Sequence, residues 1–125
     1  MSGDDVVARA RTLIGAAFRP GGRDPAFGLD CVGVVASAVG QSAPAAIDER
    51  EADAIAALAA AGLGPVHGRN APGDVVLCRP APRRLHLIVL TDFGFVHADA
   101  GLRRVVERPG EPPWPVVAVF RGKGE

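Results

Sequence analysis

The strongest constraint on how this chain can fold is a change of hydrophobic period near its midpoint. Before residue 62 the apolar residues recur at helical spacing; after residue 70 they gather into short runs separated by turn signals. Residues 4–15 place Val6, Val7, Ala10, Leu13 and Ile14 on one helical face behind Asp4 or Asp5 as N-cap, with Gly15 near the end. Residues 48–61 (DEREADAIAALAAA) open with acidic residues, continue in Ala and Leu, and stop at Gly62 and Gly64, a full set of helix start and stop signals. From Asn70 the text changes to turn (70–74), strand (75–79), loop (80–84), strand (85–91), tight turn (92–94) and strand (95–99). Residues 102–108 and 116–122 read as two more strands. Helices followed by an antiparallel meander predict an α+β fold, with N-terminal helices packed on one side of a five-stranded or so antiparallel sheet.

Two stretches do not fit either period cleanly. Residues 18–29 (FRPGGRDPAFGL) hold Pro20, Pro25, Gly21, Gly22 and Gly28, too many breakers for a regular element, and read as a loop with a fixed path. The segment CVGVVASAV that follows Asp30 is apolar, rich in small residues and β-branched, so periodicity alone leaves helix and strand open. A helix with Asp30 close to its N-terminus suits the chemistry below.

With 125 residues the chain is expected to be a single domain, 1–125, with one core and one site. It is 48% apolar and 22% charged, the balance of a globular protein that folds unaided, and only the last residues (GKGE) are expected to fray. Its 14 basic residues cancel its 14 acidic ones, which disfavours a generic binder of nucleic acid or of an anionic membrane surface. The N-terminus lacks a basic and then apolar export signal, and no apolar run approaches the roughly 18 residues of a membrane span. Cys31 and Cys78 have no CxxC spacing, so neither a disulfide framework nor a cysteine zinc site is indicated; a single bridge stays open.

Two cysteines and three histidines are the groups suited to nucleophilic chemistry near neutral pH. Cys31 follows a glycine-rich loop and falls at the first turn of the expected helix, where free N–H groups and the helix dipole favour a thiolate. Cys78 lies mid-strand in VVLCRP and reads as a small core residue. His86 lies inside the strand LHLIVLT and His97 at the end of the next, FVHAD, so antiparallel pairing across the intervening turn brings them near opposite positions. A cysteine at a helix N-terminus facing a histidine that a second polar residue holds is the nucleophile, base and orienter set of a cysteine hydrolase. The alternative is a pair of hydrogen-bonded histidines in a half-buried sheet. His67, in PVHGRN, reads as an exposed loop residue.

These residues carry a resemblance. GAAFRPGGRDPAFGLDCVGVV resembles the nucleophile segment of NlpC-type cysteine peptidases, an aromatic, a Gly-Gly pair and then Gly-hydrophobic-Asp-Cys-x-Gly; APGDVVLCRP resembles that family's Pro-Gly-Asp strand start; and LHLIVLTDFGFVHA resembles its His, apolar strand, Gly turn and final hydrophobic-His-Ala. The likeness runs in order from about residue 5 to residue 121. With DCVG in place of DCSG and a closing strand VVAVFRG, the chain is particularly similar to small cell-wall peptidases of phage tails and gene-transfer-agent particles. The resemblance implies a compact papain-like fold and hydrolysis of amide bonds in peptidoglycan stem peptides. By position it implies Cys31 as nucleophile, His86 as base and His97 as the residue that fixes the His86 tautomer. Asp30 is expected only to cap the helix, and no metal or other cofactor is required, because thiolate and imidazole supply nucleophile and proton transfer.

One departure from the family pattern is Phe18, where a tyrosine usually supplies a hydroxyl to the oxyanion site. A phenyl ring cannot donate, and loss of one such donor costs about 3 kcal/mol of transition-state stabilisation. Arg83 and Arg84, in the Arg-rich loop before His86, are weak candidates to hold a substrate carboxylate, against a reading as a solvated turn. The expected partners are the peptidoglycan stem peptide and other tail or particle proteins, a particle being a means of delivery for a chain without an export signal. Two other readings stay open: a thiol amidase acting on another substrate, and a catalytically weak or silent module of a tail.

Overall fold

A computed structural model describes residues 2–40, 47 and 49–122. Among these residues it contains three helices, α1 (Gly3–Thr12), α2 (Cys31–Val39) and α3 (Glu51–Ala60). The strands are β1 (Arg23–Asp24), β2 (Gly28–Leu29), β3 (Leu63–Pro65), β4 (Val75–Ala81), β5 (Arg84–Leu90), β6 (Gly94–Asp99), β7 (Arg104–Pro109) and β8 (Val116–Gly122). No described helix is long and apolar enough to cross a membrane. Of the tail expected to fray, Gly122 is instead the last residue of β8, and residues 123–125 lie outside the described residues, as does Asp48 of the expected helix start.

Two of the three described helices, α1 and α2, begin where a side chain satisfies a free N–H group. Ser2, not Asp4 or Asp5, caps α1: its hydroxyl accepts the Asp5 N–H while the Asp5 carboxylate accepts the Ser2 N–H. Asp4 and Asp5 instead occupy the first turn, where they complement the helix dipole. The 31–39 segment is a helix, capped by Asp30 and ended by Gly40 in the left-handed conformation. The helix α3 starts at Glu51, after Arg50, which makes no side-chain cap.

The main sheet has six strands in the order β3-β8-β4-β5-β6-β7, all antiparallel. Its extra strand is β3, an edge strand of three residues (LGP) that pairs with β8 and is too short to show a period in sequence. The expected loop at 80–84 is instead a tight hairpin, in which Ala81 pairs with Arg84 and a bulge after Cys78 absorbs the prolines. The loop at 18–29 likewise contains the two-residue hairpin β1–β2, whose turn is held by the Asp24 carboxylate on the Ala26 N–H.

Strand alternation divides the sheet into two faces. Val75, Leu77, Leu85, Leu87, Val89, Val96, Ala98 and Val105 meet Ala10, Val34, Val35, Ala38 and Leu58 of the helices in the main core. Val76, Cys78, Ile88 and Phe95 form a smaller cluster on the opposite face, against which Leu90, Trp114 and Val119 pack.

Candidate active site

Cys31 is positioned by a backbone cradle. Phe18 donates its N–H to Arg103 O, Arg19 to Leu29 O and Leu29 to Ala17 O, so the segment before the helix is fastened on both sides. Asp30 Oδ1 accepts the Gly33 N–H at 2.9 Å and Arg23 Nη1 at 2.7 Å, while Oδ2 accepts the Gly21 N–H at 3.0 Å. Asp30 thus does more than cap: it ties the glycine loop to the first turn of α2. A side chain on Gly33 would collide with the Gly22 carbonyl, and one on Gly22 with the Gly28 carbonyl. These close approaches are the physical reason for Gly22 and for glycine two residues after Cys31, while Gly21 is required by its left-handed φ of 73°.

The sulfur of Cys31 meets the sheet where the sheet opens. Strands β5 and β6 pair only at Val89 with Val96 and at Leu90 with Phe95. The Leu90 N–H bonds Asp74 O on the β4 side, so N–H groups at odd positions of β5 point toward β6. At Leu87 there is no β6 register partner, and the Leu87 N–H faces the Cys31 sulfur. Burial pushes the Cys31 thiol up to about 11; the Leu87 and Val32 N–H groups and Arg23 oppose that rise, and the Asp30 charge adds to it.

His86 directly precedes that N–H. Its Nε2 lies 2.9 Å from His97 Nδ1, with the rings edge-on at 80°. The register set at Val89 and Leu90, continued past the last pair, offsets His97 by two residues from the position opposite His86, so the two histidines are diagonal neighbours on one face, near the opposite positions that the turn count gives them. Both are buried, and they lie on the face away from the main core, enclosed by Trp114 and Phe95. Arg108 sits over the Phe95 and Trp114 rings at 5.5 and 5.6 Å. Burial, with the charges of His97 and Arg84, lowers His86 to about 3; burial and Arg108 lower His97 to about 4 against the opposing pull of Asp99. At neutral pH the resting site holds a neutral thiol beside two neutral imidazoles. Among the described residues no hydrogen bond joins the Cys31 sulfur to His86.

The remaining candidates sort by position. Cys78 is fully buried, its Sγ 3.4 Å from His86 O, and burial pushes its thiol up to about 12. His67 is exposed. Arg83 and Arg84 lie exposed at the β4–β5 hairpin, and only Arg84 is near enough to His86 for its charge to be felt there. Trp114, Phe95 and Arg108 are site neighbours that the sequence reading misses. The two-residue spacing of Phe95 from His97 on β6 is a signal that could find it, whereas Trp114 lies in the irregular segment 110–115 and carries no periodic signal.

The sequence matches no family model and no curated protein. Solved structures do match. The NlpC/p60 domain of the peptidoglycan hydrolase SagA superposes with a TM-score of 0.64 at 22% identity, covering 87% of this chain and 90% of that one. The fold is that of NlpC/p60 domains. NlpC1 from Trichomonas vaginalis gives a TM-score of 0.73 at 21% identity over 95% of this chain, and NlpC2 from the same organism 0.70 at 19% over 95%. The chain spans 43% and 46% of those two proteins. In this NlpC/p60 fold the Asp30-Cys31 turn, the opening between β5 and β6 and the two histidines share one place, at the sheet end where α2 begins.

Proposed function

We propose that this chain is a cysteine peptidase that hydrolyses amide bonds of peptidoglycan stem peptides, with Cys31 as nucleophile, His86 as base and His97 as the residue that orients it. The observation that carries the reading is the 2.9 Å contact between His86 Nε2 and His97 Nδ1 beside a helix-terminal cysteine. With Nε2 engaged, His86 Nδ1 is the ring nitrogen left to take the thiol proton. As that proton moves, the sulfur bonds the scissile carbonyl carbon and the resulting oxyanion is met by backbone N–H groups at the start of α2. The tetrahedral adduct then expels the amine, which leaves with the proton from His86, and water attacks the thioester with His86 again as base. The match to a domain of a peptidoglycan hydrolase supports the substrate class. The likeness of DCVG and VVAVFRG to phage-tail and gene-transfer-agent peptidases supports action from such a particle, alongside its other proteins.

The deciding experiment is digestion of purified peptidoglycan, read as new free amines and released muropeptides. Cleavage by the wild type and none by Cys31→Ala or His86→Ala supports the reading; no cleavage by the folded wild type overturns it. One specific observation favours a catalytically silent module instead: a thiol raised to about 11 with no hydrogen bond to His86 among the described residues, beside a phenylalanine that offers no hydroxyl.

A further inference from the structure

Among the described residues, one buried side-chain nitrogen or oxygen lacks a hydrogen-bond partner: His97 Nε2. The nearest charged group is Asp99, whose Oδ2 lies 3.7 Å away. Asp99 occupies the same face of β6 as His97, two residues on, and its side chain is 21% exposed. Its other oxygen, Oδ1, accepts the Leu102 N–H at 3.0 Å, which holds the carboxylate in place and leaves Oδ2 turned toward the imidazole.

A chain of two imidazoles joined Nε2 to Nδ1 has two neutral arrangements, and they differ in what they leave at the far end. In one, His97 carries its proton on Nε2, its Nδ1 accepts the Nε2–H of His86, and His86 Nδ1 keeps a lone pair. In the other, His97 carries its proton on Nδ1 and donates it to His86 Nε2, which places the His86 proton on Nδ1 and blocks it as a base. A carboxylate beside His97 Nε2 attracts an N–H and repels a lone pair, so it selects the first arrangement. The other charged groups near the pair are Arg84 by His86 and Arg108 by His97; neither accepts a proton from Nε2.

We propose that Asp99 is a positioning residue for the two histidines: its carboxylate keeps the His97 proton on Nε2 and thereby leaves His86 Nδ1 open to the Cys31 thiol. The inference extends the site beyond three residues to a line Cys31, His86, His97, Asp99. Its catalytic consequence rests on the peptidase reading, but the tautomer it assigns does not.

The test is nitrogen NMR of the full chain labelled with 15N-histidine, for wild type and Asp99→Asn at pH 7, with hydrolysis measured in parallel. The carboxamide that Asp99→Asn introduces keeps an oxygen for the Leu102 N–H and turns its NH2 toward His97 Nε2, so the substitution reverses the preference while preserving the turn. The wild type is expected to show Nε2–H on both His86 and His97. Asp99→Asn is expected to move both protons to Nδ1 and to lower kcat by about tenfold to a hundredfold, with KM changed less than about twofold. A wild type with Nδ1–H on His86, or an Asp99→Asn protein with unchanged tautomers, overturns the proposal. Should Asp99→Asn fail to fold, Asp99→Ala serves: a mixture of both tautomers supports the proposal and wild-type tautomers overturn it. A shift of the tautomers in a protein that cleaves no peptidoglycan upholds the assignment of Asp99 and removes the peptidase reading alone.

Discussion

The two ends of strand β5 are built from similar residues and serve different purposes. At Val89 and Leu90 the strand is paired with β4 and with β6. At His86 and Leu87 it is paired with β4 alone, and β6 has parted from it. A groove of about 450 Å³ lined by Val76, Leu90, Phe93 and Val116 lies near the closed end and includes none of Cys31, His86 and His97. The residues of the proposed chemistry therefore gather where the ladder is left incomplete. A strand N–H without a strand partner is a donor that the fold can turn toward a sulfur, and the parted strands give two histidines room to meet edge-on.

Substitutions at the two cysteines break the comparison most sharply. Cys31, at the open end, is expected to be indispensable: Cys31→Ala should reduce peptidoglycan hydrolysis by about 10⁴-fold or more with its thermal unfolding little changed. Cys78, fully buried on β4 opposite His86 and behind its backbone, should be replaceable by Ala at a modest cost in stability and with hydrolysis within a few-fold of wild type. Equal loss in both variants would place the chemistry elsewhere.

The next effect is on stability. Leu87 packs fully buried beneath the helices, so Leu87→Ala should cost about 2–5 kcal/mol in denaturant unfolding. The variant keeps the Leu87 N–H that faces Cys31 but loosens the packing that positions it, so it should alter Cys31 alkylation more than a truncation at Val89, at the closed end, does.

Titration sharpens the contrast further. Burial holds His86 near 3 and His97 near 4, below the ordinary 6.5, so the unfolded chain binds protons that the folded chain refuses. Stability contributed by the pair is full above about pH 6.5 and declines as pH falls from there toward 3, which denaturant titration at several pH values would measure. His97→Gln should flatten that decline. Carboxylates held down by partners, Glu107 and Asp92 by Arg11, contribute stability that is lost only at lower pH, as they protonate. In the same site the Cys31 thiol, raised by burial, should alkylate about tenfold faster for each pH unit through the neutral range, as its thiolate fraction grows toward about 11.

The smallest expected effect is a gain. Phe18 is half-buried and bridges to Leu29, two residues before Cys31. Phe18→Tyr adds a hydroxyl at the position where NlpC-type peptidases usually carry one, and should raise kcat by up to about tenfold; no change would mean that the backbone N–H groups already suffice.

What is legible in the sequence follows from what leaves a local imprint. The Asp30 cap, the glycines of the cradle and the alternation of β4, β5 and β6 are local, and the structure has them where the sequence places them. The β1–β2 hairpin and β3 are not legible, because two or three residues cannot display a period. The prolines at 80 and 82 suggest an open loop, yet the bulge lets them sit in a tight hairpin. The histidine pair is visible in sequence to within its two-residue offset, which depends on the register fixed at Val89 with Val96 and Leu90 with Phe95. Trp114 reaches the histidines only through the path of the β7–β8 connection, which no spacing encodes.

Trp114 has an optical consequence. It is the chain's single tryptophan, tyrosine is absent, and the indole lies 5.4 and 5.6 Å from the His86 and His97 rings. Protonated imidazole quenches indole emission, so the native fluorescence of this protein is a built-in, label-free readout of the charge state of its histidine pair.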